Sequence, residues 1–69
     1  MNNFQILVVE DDLAVRNLIT TTLETQEYKY IVSENASKAI LETASHNPDV
    51  ILLDLGLPDM DGIEVIRKI

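Results

Sequence analysis

Cysteine is absent from the 69 residues, so no disulfide can staple the fold. A chain of this length buries only about 60% of its unfolded surface, and without a disulfide it leans on a metal or on association for stability. Glycine is almost as scarce. Gly56 and Gly62 are the only two, too few to write a phosphate-binding P-loop or a dinucleotide fingerprint. Basic residues are also few: five Lys and Arg stand against twelve acids, a net charge of −7. Nucleic-acid affinity rests largely on Lys and Arg neutralising phosphates, so direct DNA or RNA binding by this segment is not expected. No apolar run approaches the roughly 20 residues of a membrane span. The start Met1-Asn2-Asn3-Phe4 lacks the basic-then-apolar layout of a signal peptide. These absences together predict a soluble, cytoplasmic chain without membrane contact.

What is present is concentrated at Val50 to Gly62. Val50-Ile51-Leu52-Leu53, bounded by Pro48-Asp49 and by Asp54, reads as a strand buried on both faces, the pattern of a parallel sheet. Asp54 then lies where that strand leaves the core, at the end of a parallel sheet where ligands bind. A lone acid there is more often a loop residue. A second strand changes the balance, because Phe4 to Val9 ends in Glu10-Asp11-Asp12. Parallel neighbours would bring Glu10, Asp11 and Asp54 together. Carboxylates so placed raise one another's pKa unless a cation compensates them. Mg²⁺, which takes oxygen ligands from one or two carboxylates, waters and a phosphate, suits such a cluster. The residues therefore predict a Mg²⁺-assisted phosphate site.

In chain order, Asp12 can cap a helix from about Leu13 to Thr25, whose stripe Val15, Leu18, Ile19, Thr22 and Leu23 reads as core contact, with Arg16 pointing away. Tyr28 to Val32 reads as a less buried strand, its tyrosines structural, broken by Ser33-Glu34-Asn35. Asn35 or Ser37 can cap a second helix with inner face Ala36, Ala39, Ile40, Thr43 and Ala44, ended by His46-Asn47-Pro48. His46, the only histidine, reads as a partner for the helix dipole rather than as a ligand or base. Beyond the central strand, Leu57 to Gly62 forms a turn, Asp61 and Glu64 fit a capping box, and Ile63, Ile66 and Ile69 supply the face of a third helix. Strand-helix alternation implies right-handed crossovers and a parallel sheet. Asp59-Met60-Asp61-Gly62 does not make a Ca²⁺ loop, since Leu57 and Lys68 would fall at coordinating positions.

On these residues the sequence resembles the receiver domain of two-component response regulators. Ile6-Leu7-Val8-Val9-Glu10-Asp11-Asp12 looks like the family's first strand with its acid pair, and Val50 to Gly62 like the phosphoacceptor strand and its Leu-Pro-x-x-x-Gly turn. The wording Leu53-Asp54-Leu55-Gly56-Leu57-Pro58-Asp59 is similar to the winged-helix transcription-factor branch, and within it to potassium-transport-operon regulators. The resemblance implies a flavodoxin-like, doubly wound parallel sheet cut down to three strands and three helices, in the strand order 2-1-3. It implies that Asp54 accepts a phosphoryl group from a sensor histidine kinase and that Asp11 and Asp54 ligate Mg²⁺ directly. It also implies that Glu10 holds the metal through water and that Gly56 adds its backbone carbonyl. The family domain continues through two more strand-helix pairs carrying a Ser or Thr and a Lys that meet the phosphate. The sequence ends at Ile69 within the third helix, and so corresponds to roughly the first half of a receiver domain.

Two other classes compete. An aspartate-nucleophile phosphatase also uses a strand-end Asp and Mg²⁺, but needs a second Asp where this chain has Gly56. An inert structural or assembly fragment would keep the acids without using them. The resemblance adds one expectation about association: with the strand order 2-1-3, Val50 to Leu53 is an edge with neither charge nor Pro to block pairing, so self-association is expected.

Overall fold

A run of four apolar residues, Ile6 to Val9, needs cover on both sides, and the fold supplies it by placing this strand at the centre. The computed structural model describes residues 4–54, 59–60 and 62–68. Among them the chain runs β1 (Gln5–Val9), α1 (Leu13–Thr25), β2 (Lys29–Ser33), α2 (Ala36–His46), β3 (Val50–Leu53) and α3 (Gly62–Lys68). The sheet order is β2-β1-β3, all parallel, with Leu7 opposite Ile31 on one side and Ile51 on the other. This is the flavodoxin-like arrangement expected from the sequence, with strand order 2-1-3.

Side chains alternate across a strand, so β1 serves two layers. Leu7 and Val9 face one layer, where they meet Ala36 and Ala39 of α2 and Val65 of α3, with Ile31, Ile51, Leu53 and Met60 packed around them. Ile6 and Val8 take the opposite face, on the side of α1, and are equally buried. The doubly buried strand is thus β1. The sequence pattern predicts that role for Val50–Leu53, whereas Leu52 is 39% exposed and its neighbours are half-buried. The reason is topological: β3 lies at an edge, and α1 packs against β1 and β2 instead.

The same placement corrects the inner face of α1. Arg16, Ile19, Thr20 and Leu23 are the half-buried positions, while Thr22 is exposed and Val15 and Leu18 are 43% and 69% exposed. Two polar anchors account for this rotation. The Arg16 guanidinium does not point away but donates to the Glu10 carbonyl at 3.1 Å, and the Tyr30 hydroxyl donates to Glu24. The helix bounds and the cap are as expected, with the Val15 N–H donating to Asp12 Oδ1 at 3.1 Å.

Two strand and helix ends also differ from expectation. β2 begins and ends one residue later than Tyr28 to Val32, and Ser33, expected to break it, is its fully buried last residue. Ladder pairing with Val9 outweighs the local turn preference of Ser. In α3, Ile63 and Ile66 are 57% and 60% exposed, and Val65 is the residue that reaches the core. Ile69 and Asp61, the proposed cap, lie outside the described residues, as does the turn at 55–58. α2 begins at Asn35, whose Oδ1 accepts from the Lys38 N–H, and ends at Asn47 in the left-handed conformation at φ 49°. Its inner face is Ala36, Ala39, Ile40 and Thr43, with Ala44 exposed, and His46 in the last turn lies 3.3 Å from Glu42.

Two measurements check this packing. Val65→Ala should cost about 2 kcal/mol in urea unfolding, whereas Ile66→Ala should stay within about 0.5 kcal/mol of the parent. Among the described residues β3 is an edge strand, and the 69 residues taken alone should associate as concentration rises, read by sedimentation velocity over a dilution series; a monomer at every concentration would contradict it.

Candidate metal and phosphate site

Three strand ends build the site. Glu10 follows β1 directly, and its N–H continues the ladder by donating to the Ser33 carbonyl at 3.1 Å. Asp54 follows β3, and its N–H donates to the Val9 carbonyl at 3.0 Å. Both acids are therefore held by backbone bonds beyond the last residue of their strands. Asp11 sits one step further on, exposed, before the Asp12 cap of α1. At the far end of the sheet, the Asp49 N–H donates to the Gln5 carbonyl and the Gln5 N–H donates to Asp49 Oδ2, both at 2.9 Å. The sheet is thereby fixed in register at both ends.

This scaffold brings Glu10, Asp11 and Asp54 together: one carboxylate oxygen from each lies within 4.8 Å of the others. At such separations ionised carboxylates repel by on the order of 1 to 3 kcal/mol per pair, depending on screening. The effect is visible at Glu10. Partial burial pushes its carboxyl above the usual range, the Asp12 N–H at 3.3 Å pulls it back, and a hydrogen bond and charge from Asp54, with the charge of Asp11, raise it again. The donors are all hard oxygens on a rigid rim, which is the chemistry that fits Mg²⁺. Gly56 lies outside the described residues, so the carbonyl assigned to it is not part of this geometry. Asp12, read as a cap, is one.

Beside the acids lies a groove of about 220 Å³ lined by Val9, Glu10, Ile19, Leu52, Leu53 and Asp54. It opens the site towards solvent on the α1 side. One hydrogen-bonding side chain after β3 was not foreseen. Asp59 Oδ1 accepts from the Ala36 N–H at 2.9 Å, and its Oδ2 accepts from the Ser37 N–H and hydroxyl, both at 3.1 Å. The Ala36 bond foremost holds the Asp59 carboxyl below its usual value. The sequence signal was Ser37 in a helix's first turn, read only as a possible cap. Among the described residues no helix is long and apolar enough to cross a membrane.

Comparisons with known proteins agree with this geometry. A family model described as the response regulator receiver domain matches residues 6–69. The chain is 45% identical over 64 residues to the KDP operon transcriptional regulatory protein KdpE of Escherichia coli (strain K12), covering 93% of this chain and 28% of that protein. Among solved structures, the N-terminal domain of a response regulator receiver protein from Methanoculleus marisnigri JR1 superposes with a TM-score of 0.92 at 29% identity, over 99% of this chain and 55% of that one. The response regulator TrrA of Thermotoga maritima, in complex with Mg(2+)-BeF, gives a TM-score of 0.88 at 32% identity, over 94% of this chain and 56% of that one. TrrA in complex with the histidine kinase ThkA gives 0.86 at 32% identity over the same shares. The chain thus spans about half of these receiver structures and 28% of the curated relative's length.

The raised Glu10 value fixes a sign. A carboxyl whose folded pKa is raised contributes stability that is fully present below its ordinary value of 4.5 and is lost as pH rises through the folded value. Without metal, Glu10→Gln should therefore be more stable than the parent at neutral pH and lose less stability between acid and neutral pH, as read by urea unfolding across that range.

Proposed function

Because this chain belongs to the response regulator receiver domain family, we propose that it is the phosphoacceptor of a two-component system, taking a phosphoryl group onto Asp54 from a histidine kinase. The observation that carries this reading is the convergence of Glu10, Asp11 and Asp54 oxygens within 4.8 Å. Asp11 and Asp54 would hold Mg²⁺ directly and Glu10 through water, with the Gly56 carbonyl as the further ligand that the family resemblance implies. When bound, the ion supplies charge neutralisation for the phosphoryl oxygens.

The chain's own residues do the rest. A carboxylate oxygen of Asp54 forms the new P–O bond as the P–N bond to the kinase histidine breaks, and the imidazole leaves with the bonding electrons and takes up a proton. The Asp54 N–H bond to Val9 fixes the nucleophile relative to Glu10 and Asp11. The open groove beside it gives the donor a line of approach. The structure of TrrA with a histidine kinase supports a partner of that class, and its complex with Mg(2+)-BeF supports the metal. The chain is then a signalling module that turns over no external substrate, and its output is transcriptional control exerted through another segment, as the name of KdpE indicates for that relative. With a net charge of −7, this segment itself does not contact DNA.

Two experiments test the reading. Mg²⁺ titration followed by amide NMR should move residues 10–12 and 54 most, and Asp54→Asn should weaken binding; shifts concentrated elsewhere would remove the site assignment. Incubation with a small phosphodonor and Mg²⁺ should add one base-labile phosphate by intact mass, absent in Asp54→Asn. An adduct of equal yield in that variant would place the phosphate on another residue.

A further inference from the structure

We propose that Arg16 is a positioning residue of the acidic site, holding the main chain from which Glu10 and Asp11 project. Successive peptide groups decide where those two side chains leave the backbone, and each group is a rigid plane. The plane between Val9 and Glu10 is bound at both edges: its carbonyl accepts from the Asp54 N–H at 3.0 Å and its N–H donates to the Ser33 carbonyl at 3.1 Å. Sheet pairing stops there. The next plane, between Glu10 and Asp11, presents its carbonyl to the Arg16 guanidinium, which donates to it at 3.1 Å. Beyond Asp11, the Asp12 carbonyl accepts from the Arg16 N–H at 2.9 Å. One residue thus grips the link between β1 and α1 at two points, with Asp11 between them.

The guanidinium bond holds the plane that carries the Cα atoms of both Glu10 and Asp11, and with the preceding plane already paired it restrains both backbone dihedrals of Glu10. Asp11 gains most from it, being exposed and beyond the sheet ladder. Arg16 suits the task. It is half-buried, where a hydrogen bond from a charged donor is stronger than in open water, and its planar fork loses little freedom on binding. Because the bond goes to the main chain, a role in positioning and a role through charge carry opposite signs. A guanidinium acting through its charge would repel a divalent cation at the neighbouring acids, so its removal would tighten metal binding. One acting through the Glu10 carbonyl keeps the ligands in place, so its removal weakens binding.

This inference rests on the reading of Glu10, Asp11 and Asp54 as a Mg²⁺ site, and the test separates the two. Arg16→Met keeps the apolar stem and the N–H bond to Asp12 and deletes the guanidinium alone. Leu23→Ala serves as the control: Leu23 is half-buried on the same helix, about two turns or 10 Å further on, so its loss loosens α1 without touching Glu10. Mg²⁺ is titrated into the parent and both variants under conditions where circular dichroism shows each fully folded, and amide NMR relaxation is measured on each without metal. In Arg16→Met the Mg²⁺ affinity should fall about tenfold, and the order parameter of the Asp11 amide should fall to about 0.6 while those of β1 stay at about 0.85. Leu23→Ala should change neither. Equal or tighter Mg²⁺ binding in Arg16→Met would overturn the proposal, as would an equal loss in Leu23→Ala, which would make the effect one of stability. Should Arg16→Met fail to fold, Arg16→Gln keeps a polar donor but falls short of the Glu10 carbonyl and should give the same loss; unchanged affinity there would overturn the proposal equally. A parent without Mg²⁺ affinity whose Asp11 amide still loosens in Arg16→Met would remove the functional reading and keep the positioning; one whose Asp11 amide stays ordered would remove both.

Discussion

Burial of β1 on both faces is the constraint from which the other features follow. Leu7, Val8 and Val9 are at most 1% exposed, and a single strand achieves this only with a neighbour on each edge and a helix layer on each face. The chain meets that demand with one helix on one side and two on the other. Each fully buried side chain of this kind contributes about 1.5 to 3 kcal/mol, so this strand dominates what a 69-residue chain can gather. The C-terminal end of β1 is accordingly held on both edges, by the Glu10 bond to Ser33 and the Asp54 bond to Val9. Placing Glu10 one residue beyond it, and Asp54 on a backbone bond to Val9, puts repelling charges where backbone pairing holds their main chains in place.

Much of this was legible in the sequence because it depends on short-range pattern. The apolar run Ile6 to Val9, the cap Asp12, the α1 bounds and the two acid-ended strands each lie in one short, continuous window of sequence. The pairing of Glu10 and Asp11 with Asp54 was legible too, since alternating strands and helices dictate parallel neighbours and hence a common end for their acids.

What escaped the sequence depends on long-range packing. Periodicity marks a stripe on a helix but not the angle at which it meets a sheet. The stripe of α1 turned because Arg16 and Glu24 found partners on the sheet, and in α3 the single Val65 displaced two isoleucines from the core. Ser33 reads locally as a strand breaker, yet it is buried because Val9 pairs with it. Asp59 escaped because its partners lie 22 and 23 residues away and belong to a helix start that already had a cap in Asn35. Gly56 and Asp61 fall outside the described residues.

The order β2-β1-β3 means that the chain steps one way from β1 to β2 and then back past β1 to β3. With right-handed crossovers, the two steps must lay α1 and α2 on opposite faces, and the helices diverge as they leave the sheet. At the carboxyl ends of β1 and β3, where the winding reverses, a crevice opens whatever side chains line it. The location of the acids is therefore set by chirality: L-amino acids make the crossovers right-handed, and the reversal of winding direction selects the spot. Evolution of a new ligand in this framework would need to change the residues at the crevice, never its address.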